Sequence, residues 1–418
     1  MYTRRQMLAA MAAKSAPRTN VILILADDLG YGDLGCYGST TGATPNLDRL
    51  AADGLRFTNH YTCSPVCSPA RAGLMTGLIP ERTGVTGVLR DKDDSGGLAL
   101  DLTVMPQPLQ RQGFRSALIG KWHLGMGEAY RPNRRGFDYF WGFLNGTIDY
   151  HTHLSMGGGA TGRRTTYEDG RPVELEGYFP DLASAKAAEF VESHRDKPYF
   201  LYLPLALPHT PIQAPERWVS GFRGRLPDSQ AVYNGMLRSM DDGIGQLRAA
   251  LERTGQWDRT AVVFLSDHGW VKKRPPAEAG SNGPLRGGKY ELLEGGIRVP
   301  CIVRWPGLTR PGTLTDAVSW LPDWFPTITG QKSRDGFDLR GVLRGGRGPV
   351  RDLYWRFEDP LVKTPLSFAI RHRQWKLLKV GKEEHLYDLR QDPGEAVDLR
   401  SREPGIAASL GRRLSAWK

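Results

Sequence analysis

Continuous apolar runs constrain the fold of this chain more than any other feature of its sequence. The first run, Asn20–Ala26, contains no polar alternation after its first residue. A run of this kind predicts a strand buried on both faces, as in a parallel sheet covered by helices. The other such runs are Ser116–Gly120, Tyr199–Leu205 and Ala261–Leu265. Segments with helical patterns lie between them, at Pro45–Ala52, Leu182–Ser193 and Ala231–Arg253. This alternation predicts an α/β fold with one large, mostly parallel sheet.

The character of the sequence changes after a Gly- and Arg-rich stretch at residues 345–349. Beyond it, we expect short antiparallel strands and a final helix, at Asp352–Arg356, Ser367–Arg371, Trp375–Val380 and Ile406–Trp417. The chain is therefore expected to have a main domain over residues 17–345 and a small α+β C-terminal subdomain over residues 346–418. Two stretches poor in periodic runs, about 130–181 and 269–288, are expected to form long loops over a site.

The N-terminus carries Thr-Arg-Arg at positions 3–5, followed by a short Ala-rich apolar run. This pattern resembles a twin-arginine export signal, so we expect residues 1–16 to be a signal segment and the protein to reach the bacterial periplasm. A basic N-terminus without a targeting role, with a cytoplasmic protein, is the alternative. No segment approaches the roughly 20 apolar residues that a membrane-spanning helix needs.

The formal net charge is +11 at pH 7, with 24% charged and 40% hydrophobic residues. This excess predicts either a solvated basic surface or attraction for an acidic substrate. The Arg residues are dispersed and form no compact basic run, which argues against a nucleic-acid partner. Four cysteines are too few and too scattered for a disulfide scaffold or a zinc site: Cys36, Cys63, Cys67 and Cys301.

Acidic residues follow two of the predicted strands. Asp27 and Asp28 come directly after the first strand, and Asp267 and His268 follow the strand Ala261–Leu265. Ligands in parallel α/β folds collect at the carboxyl ends of strands, so the three carboxylates are expected to lie together. They would repel one another unless a cation neutralised them. The sequence therefore predicts a divalent metal site, although one Asp-Asp pair alone would suit a helix cap or a loop.

The run from Cys67 to Gly77 predicts a helix that begins right after Cys67-Ser68, so that the cysteine lies beside the free N–H groups of the helix N-terminus. Pro69 fits the first helical turn, where its missing N–H costs nothing. The free N–H groups and the helix dipole favour an anionic ester at this point, and Arg71 adds a charge that does not titrate away. Taken alone, the segment also fits a buried structural cysteine.

The same run has the form Cys-x-Pro-x-Arg-x4-Thr-Gly and resembles the signature of the type I sulfatases. The resemblance implies the fold of the alkaline phosphatase superfamily, with helices on both sides of the large sheet. It also implies that a formylglycine-generating enzyme oxidises Cys67 to formylglycine, whose hydrated aldehyde is the nucleophile. An upstream copy begins at Cys63 but has Cys67 where the motif requires Arg, so Cys63 is interpreted as structural.

Further segments match the same family in the same order: Gly-Lys-Trp-His-Leu-Gly at 120–125, Pro-His-Thr-Pro at 208–211, Gly-Lys at 288–289, Glu-Gly-Gly-Ile-Arg-Val-Pro at 294–300 and Leu-Tyr-Asp-Leu at 386–389. The resemblance implies that Lys121 bridges the formylglycine and the sulfate. It implies that His123 is the base that deprotonates the second hydroxyl of the diol. His209 and Lys289 would bind the sulfate and assist the leaving oxygen.

The resemblance also implies a cation, usually calcium, with the modified Cys67 and a sulfate oxygen completing its shell. Its ligands would be Asp27, Asp28, Asp267 and His268. Asn is commoner than His at the last of these positions in the family, and imidazole is a less usual calcium ligand than an amide oxygen. The identity of the metal therefore stays open.

These features predict a sulfuric ester hydrolase, with a small-molecule or glycan sulfate ester as its substrate. A phosphonate monoester or phosphodiester hydrolase of the same superfamily shares the cysteine motif and is the first alternative. The Gly-Lys-Trp-His segment and Lys289 favour the sulfatase. A non-catalytic binder of sulfated glycans is the second alternative, against which the intact set of ligands and bases argues. Residues 146–153 resemble a segment of arylsulfatase B-like enzymes, which act on N-acetylgalactosamine 4-sulfate, and hint at sulfated sugars.

Overall fold

The computed structural model describes residues 19–93, 96–157, 161–272, 278–359 and 363–417. Within these ranges the strands are β1 (Asn20–Ala26), β2 (Leu55–Phe57), β3 (His60–Tyr61), β4 (Arg115–Lys121), β5 (Tyr139–Phe143), β6 (Thr166–Glu168), β7 (Arg171–Pro172), β8 (Tyr199–Pro204), β9 (Thr260–Ser266), β10 (Cys301–Arg304), β11 (Thr313–Thr315), β12 (Ser319–Trp320), β13 (Asp352–Asp359), β14 (Thr364–His372), β15 (Trp375–Val380) and β16 (Glu383–Asp388).

The α-helices in the same ranges are α1 (Pro45–Ala52), α2 (Cys67–Thr76), α3 (Pro80–Thr83), α4 (Pro106–Arg111), α5 (Phe179–Ser193), α6 (Glu216–Val219), α7 (Asp228–Arg253), α8 (Glu294–Ile297), α9 (Trp324–Thr329), α10 (Arg340–Leu343) and α11 (Pro404–Ala416). Short 3-10 helices lie at Gly35–Tyr37, Glu128–Tyr130, Pro132–Arg135, Trp257–Arg259 and Leu321–Asp323.

In the part of the chain that the structure describes, ten strands form one large sheet in the order β11-β2-β10-β9-β1-β8-β4-β5-β6-β7. Its centre, from β9 through β1, β8 and β4 to β5, is parallel, and antiparallel pairs involving β10, β6 and β7 lie toward the two edges. The central strands therefore present their carboxyl ends along one edge of the sheet. The expected α/β class with a mostly parallel sheet is confirmed.

The central strand β1 packs on both faces, as its continuous apolar sequence predicts. Ile22 and Ile24 belong to one buried cluster, which also holds residues of α5 and α7. Val21, Leu23 and Leu25 belong to a second cluster, on which residues of α2, α4 and α9 pack. Alternate side chains of a strand point to opposite faces of its sheet, so both faces of β1 are covered. Hydrophobic burial on two sides leaves the strand ends as the place for polar groups.

Strands β13 to β16 form a separate antiparallel sheet in chain order, and α11 follows it. The expected C-terminal strands and helix are present, and the expected helices Pro45–Ala52, Leu182–Ser193 and Ala231–Arg253 correspond to α1, α5 and α7. The expectation of long loops over residues 130–181 is wrong in part, because β5 extends the large sheet in parallel to β4. Its sequence, Tyr-Phe-Trp-Gly-Phe, is aromatic and lacks the aliphatic run that marks the other central strands.

The segment that resembles an export signal, residues 1–16, lies outside the described residues. Within the ranges that are described, each helix is too short or too polar to cross a membrane.

A buried ionic cluster joins the C-terminal sheet to the main sheet's loops. Nζ of Lys376, on β15, lies 3.0 Å from Oε1 of Glu294 and 2.9 Å from Oε1 of Glu395, and all three side chains are fully buried. A second oxygen of Glu395 accepts a hydrogen bond from the backbone N–H of Glu294 at 2.7 Å. Burial raises the pKa of Glu395, and the positive charge of Lys376 opposes that rise. The ammonium group therefore compensates two buried carboxylates.

We expect Lys376→Met to lower the free energy of unfolding by about 3–5 kcal/mol, because it removes the nearest counter-charge of two buried carboxylates and leaves Glu294 with the more distant Arg298, at 3.7 Å. The matched control is Lys379→Met on the same strand, since Lys379 is 41% exposed and pairs with Glu384 at 3.3 Å. That exposed pair is worth at most about 1 kcal/mol. Urea titration monitored by fluorescence measures both variants, and equal losses would contradict the importance of the buried cluster.

Candidate active site

The predicted metal-binding residues lie side by side at the carboxyl ends of β1 and β9. Asp27 and Asp28 follow β1, and Asp267 and His268 follow β9, which pairs with β1 in parallel. Each of these four side chains offers one ligand atom, and the four atoms lie within 4.8 Å of one another. All four residues are buried. The sequence-based expectation that these side chains converge is therefore matched by the geometry.

Basic side chains already compensate the three carboxylates. Nζ of Lys121 lies 2.6 Å from Oδ2 of Asp27, and Nζ of Lys289 lies 2.8 Å from both oxygens of Asp28. Burial raises the pKa of Asp27, but Lys121 and Arg71 outweigh burial and hold it well below its usual value. Repulsion between carboxylates is therefore not by itself evidence for a metal in this site.

Two buried polar atoms nevertheless favour a bound cation. Oδ1 of Asp27 and Nε2 of His268 make no hydrogen bond among the described residues, although Arg71 lies 3.2 Å from the first and Asp28 lies 3.1 Å from the second. The carboxylate oxygen has a lone pair that can bind a metal, and so has the imidazole nitrogen when the ring is neutral. Burial raises the pKa of Asp267 to about 6. The donor set of three carboxylates and one imidazole fits a divalent cation.

Cys67 is the first residue of α2, two residues earlier than the sequence suggested, and Pro69 stands in the first turn. Burial raises the pKa of the Cys67 thiol, but Lys121 and His123 outweigh burial and hold it well below its usual value. Burial raises the pKa of Cys63 with no such compensation. The two copies of the Cys-Ser-Pro sequence therefore differ in electrostatics, and the lowered pKa belongs to the copy that carries Arg71.

Arg71 anchors α2 to the strand ends. Its side chain is fully buried, and one terminal nitrogen lies 3.0 Å from Oδ2 of Asp267 and 3.2 Å from Oδ1 of Asp27. The other terminal nitrogen donates to the backbone carbonyl of Lys121 at 3.2 Å. Arg71 and Cys67 are four residues apart, so they lie on the same face of the helix. The guanidinium group therefore places the cysteine beside the carboxylates.

The Gly-Lys-Trp-His segment makes a sharp turn at the end of β4. Gly120 has a φ of +127°, and a Cβ there would come within 2.0 Å of the carbonyl oxygen of Pro204 on β8. Trp122 is buried with its indole N–H bonded to the carbonyl of Tyr130 at 2.9 Å. His123 has a φ of +55°, an unfavourable backbone conformation for a residue other than glycine. The turn directs Lys121 and His123 to the same site.

His209 lies in the loop after β8. The carbonyl of Thr210 accepts a hydrogen bond from Nδ1 of His209 at 2.6 Å, and Nε2 of the same ring lies 3.7 Å from Oδ2 of Asp28. Burial lowers the pKa of His209, and the neighbouring Asp28 opposes that effect. Lys289 contacts the same Asp28. Burial lowers the pKa of Lys289, but the Asp28 carboxylate outweighs burial and holds that pKa above its usual value.

A cavity of about 530 Å³ opens onto these residues. Its lining includes four of the sequence-predicted residues: Cys67, His123, His209 and Lys289. It also includes residues that sequence reasoning did not identify, among them Asp91, Thr147 and Tyr290. Tyr290 has a φ of +73°. The sequence feature that points to Tyr290 as a site residue is its position directly after Lys289. Asp91 stands in an irregular segment without a recognisable pattern, and Thr147 lies in the 146–153 segment, which hinted at sulfated sugars but gave this residue no role.

Comparison with known proteins identifies the family to which the chain belongs. The sulfatase family model matches residues 19–331. Arylsulfatase J of Mus musculus is 32% identical over 470 residues, which cover 98% of this chain and 77% of that protein. N-acetylgalactosamine-6-sulfatase of Homo sapiens is 33% identical over 459 residues, covering 97% and 86%. The crystal structure of Ps i-CgsB in complex with k-i-k-neocarrahexaose has a TM-score of 0.88 and 31% identity, covering 96% of this chain and 92% of that chain. The chain therefore belongs to the sulfatase family, within the alkaline phosphatase superfamily, and is a sulfatase.

Proposed function

We propose that this sulfatase cleaves the sulfate esters of sulfated carbohydrates through a formylglycine formed from Cys67. The observation that carries the proposal is the position of Cys67 in one cavity with two histidines and one lysine, beside a buried carboxylate cluster that a second, fully buried lysine contacts. The basic side chains are Lys121, Lys289, His123 and His209. This arrangement offers positive charge for a sulfate group and bases for proton transfer.

The nucleophile in this proposal is a hydrated aldehyde at position 67. Its two hydroxyls would supply one oxygen to attack sulfur and one whose deprotonation expels sulfate and restores the aldehyde. A serine at the same position would be left with a sulfate ester that needs a separate hydrolysis. The start of α2 suits the reaction because helix N-termini stabilise negative charge. The formylglycine-generating enzyme is the partner that this proposal requires.

His123 has the orientation expected of the base in the second step. The carbonyl of Leu89 accepts a hydrogen bond from Nε2 of His123 at 3.1 Å, which assigns the proton of the neutral ring to Nε2. Nδ1 is buried and has no hydrogen-bond partner among the described residues. Cys67 and His123 line the same cavity, and His123 helps to hold the pKa of Cys67 below its usual value. Nδ1 is therefore the atom that would take the proton of the second hydroxyl.

Lys121, His209 and Lys289 are proposed to hold the sulfate group. Their charges would meet the negative charge that the sulfuryl oxygens carry in the transition state. His209 and Lys289 both contact Asp28, so they approach the site from the same side. We assign these two residues to the leaving oxygen, to which either could donate a proton or a hydrogen bond.

A divalent cation, calcium in this proposal, would be held by Asp27, Asp28, Asp267 and His268 and would polarise a sulfate oxygen. The unpartnered Oδ1 of Asp27 and Nε2 of His268 support this assignment. Calcium prefers oxygen ligands, so the imidazole leaves room for another divalent ion.

A sulfated carbohydrate is proposed as the substrate on three grounds. One similar protein is named an N-acetylgalactosamine-6-sulfatase, and a similar structure contains neocarrahexaose. The net charge of +11 favours acidic substrates. The proposal includes export, on the resemblance of residues 1–16 to a twin-arginine signal. A phosphonate monoester or phosphodiester hydrolase is the alternative function, and the preferred substrate distinguishes the two.

The first prediction of the proposed function concerns the nucleophile. Protein co-expressed with a formylglycine-generating enzyme should contain a peptide that is lighter than its cysteine form at position 67, as measured by mass spectrometry. Cys67→Ala should lower kcat for an aryl sulfate by several orders of magnitude, because the nucleophile is lost. Cys63→Ala is the matched control and should keep both the aldehyde and most of the activity. Near-normal turnover by Cys67→Ala would exclude the mechanism.

The second prediction concerns the cation. Dialysis against a chelator should remove one divalent ion per chain, measured by elemental analysis, lower the melting temperature and abolish turnover. Asp27→Asn and Asp267→Asn should each weaken metal binding strongly. His268→Asn should weaken it less, because an amide oxygen also binds calcium. Full activity of a metal-free protein would contradict the site assignment.

The third prediction separates the sulfatase from the diesterase. A phosphodiester carries a second substituent where Lys121, His209 and Lys289 would press, so kcat/KM for an aryl sulfate should exceed that for a matched aryl phosphodiester by ~100-fold, or ~2.7 kcal/mol. Lys289→Ala should lower kcat more for poor leaving groups than for nitrophenolate. A preference for the diester, together with a Lys289→Ala effect independent of the leaving group, would support the alternative function.

A further inference from the structure

Asp91 is a buried carboxylate in the cavity that belongs to none of the family motifs. It is only 4% exposed, and both of its oxygens accept hydrogen bonds from residues 145–155. Oδ1 accepts from the backbone N–H of Gly146 at 2.9 Å. Oδ2 accepts from Nδ2 of Asn145 at 3.2 Å and from the hydroxyl of Ser155 at 3.5 Å. Asp91 therefore fastens the segment after β5 to the segment after α3.

The two fastened segments enclose the ring of His123. A Cβ on Gly146 would lie 2.9 Å from Cε1 and Nε2 of His123, so the backbone of Gly146 packs closely on the imidazole. The carbonyl of Leu89, two residues before Asp91, accepts the hydrogen bond from Nε2 of the same ring at 3.1 Å. Movement of either segment would therefore change the orientation or the tautomer of His123.

The next residue of the same segment reaches the second histidine. The hydroxyl of Thr147 donates to the carbonyl of Thr210 at 2.9 Å. That carbonyl also accepts the hydrogen bond from Nδ1 of His209 at 2.6 Å. A single backbone oxygen is thus held by Thr147 on one side and orients His209 on the other. Hydrogen bonds connect Asp91 to Gly146, and Thr147 to the carbonyl that fixes His209.

We propose that Asp91 is a positioning residue for both histidines of the site, acting through Gly146 and Leu89 on His123 and through Thr147 on His209. The proposal rests on the function proposed above for its account of catalysis, but the ring orientations that it predicts do not depend on that function. Asp91 does not touch sulfur or the nucleophile in this account. Its role is to hold the bases within the narrow range of geometry that proton transfer requires.

The first test uses Asp91→Asn and Asp91→Ala, with Asp93→Asn as the matched control. Asp93 is an exposed carboxylate that pairs with Arg163 at 3.0 Å. Asn at position 91 can still accept the hydrogen bond of Gly146 through its oxygen, but its NH₂ group would face the NH₂ group of Asn145, so the amide replaces the carboxylate only in part. We expect kcat for an aryl sulfate to fall by about 100-fold in Asp91→Ala and about tenfold in Asp91→Asn, with KM nearly unchanged. Asp93→Asn should match the wild type.

The second test uses the near-isosteric pair Thr147→Val and Thr147→Ser. Thr147→Val removes the hydroxyl and should lower kcat by about tenfold, more for poor leaving groups than for nitrophenolate, because His209 acts on the leaving oxygen. Thr147→Ser keeps the hydroxyl and should restore the wild-type rate. Thr161→Val, which removes an exposed hydroxyl from the same loop region, is the control. In a double-mutant cycle, the effects of Asp91→Asn and Thr147→Val should be non-additive.

Histidine nitrogen NMR shifts provide a readout that needs no activity. The wild type should show His123 protonated at Nε2 and His209 protonated at Nδ1, and Asp91→Ala and Thr147→Val should each broaden or shift the affected signals. Wild-type kcat in Thr147→Val and Asp91→Asn, with unchanged histidine signals, would overturn the proposal even if Asp91→Ala fails to fold. Fixed tautomers in a formylglycine-bearing wild type without sulfate ester turnover would instead overturn the proposed function and leave the positioning role standing.

Discussion

The buried contact of Arg71 with two strand-end carboxylates is the interaction on which the rest of the site depends. One nitrogen of Arg71 lies 3.2 Å from Asp27, after β1, and 3.0 Å from Asp267, after β9. Removing one partner of such a buried pair leaves an uncompensated charge and costs about 3–5 kcal/mol, so α2 has one favoured position on the sheet. Cys67 lies one helical turn before Arg71. The ion pair that docks the helix therefore also places the nucleophile.

Charge balance in the site differs from what the acidic residues alone indicate. The sequence suggested that three converging carboxylates need a cation, but Lys121 and Lys289 pair with Asp27 and Asp28 at 2.6–2.8 Å. The unpartnered lone pairs of Asp27 and His268 thus favour a metal, whereas the net charge of the site does not require one. The lysines proposed to bind sulfate are also the counter-ions of the proposed metal ligands, so cation and anion sites share the same charged groups.

The sequence was most informative where a feature depends on local pattern. Continuous apolar runs predicted β1, β4, β8 and β9, and short motifs at their carboxyl ends identified the residues that the fold brings together. Prediction failed where tertiary contacts decide the structure. Strand β5 is rich in aromatic residues, and β16 is rich in charged ones, so neither has the pattern of a buried strand. Asp91 carries no local signal, and the resemblance of residues 146–153 gives Thr147 no role, because the partners of these residues in Asn145–Gly146 and Thr210 are distant in sequence.

The C-terminal sheet contributes to the frame of the site, although it carries none of the proposed catalytic groups. Glu294, five residues after Lys289, accepts a hydrogen bond from the hydroxyl of Tyr61 at 2.5 Å and pairs with Lys376 of β15 at 3.0 Å. Tyr61 belongs to β3, which leads into α2. The segment that carries Lys289 and the one that carries Cys67 therefore meet at Glu294, where a lysine of the distant sheet neutralises the carboxylate. The buried carboxylate of Glu294 holds these loops in place only while the ammonium group of Lys376 is present. The position of Lys289 therefore depends on the folding of residues more than 80 positions later in the chain.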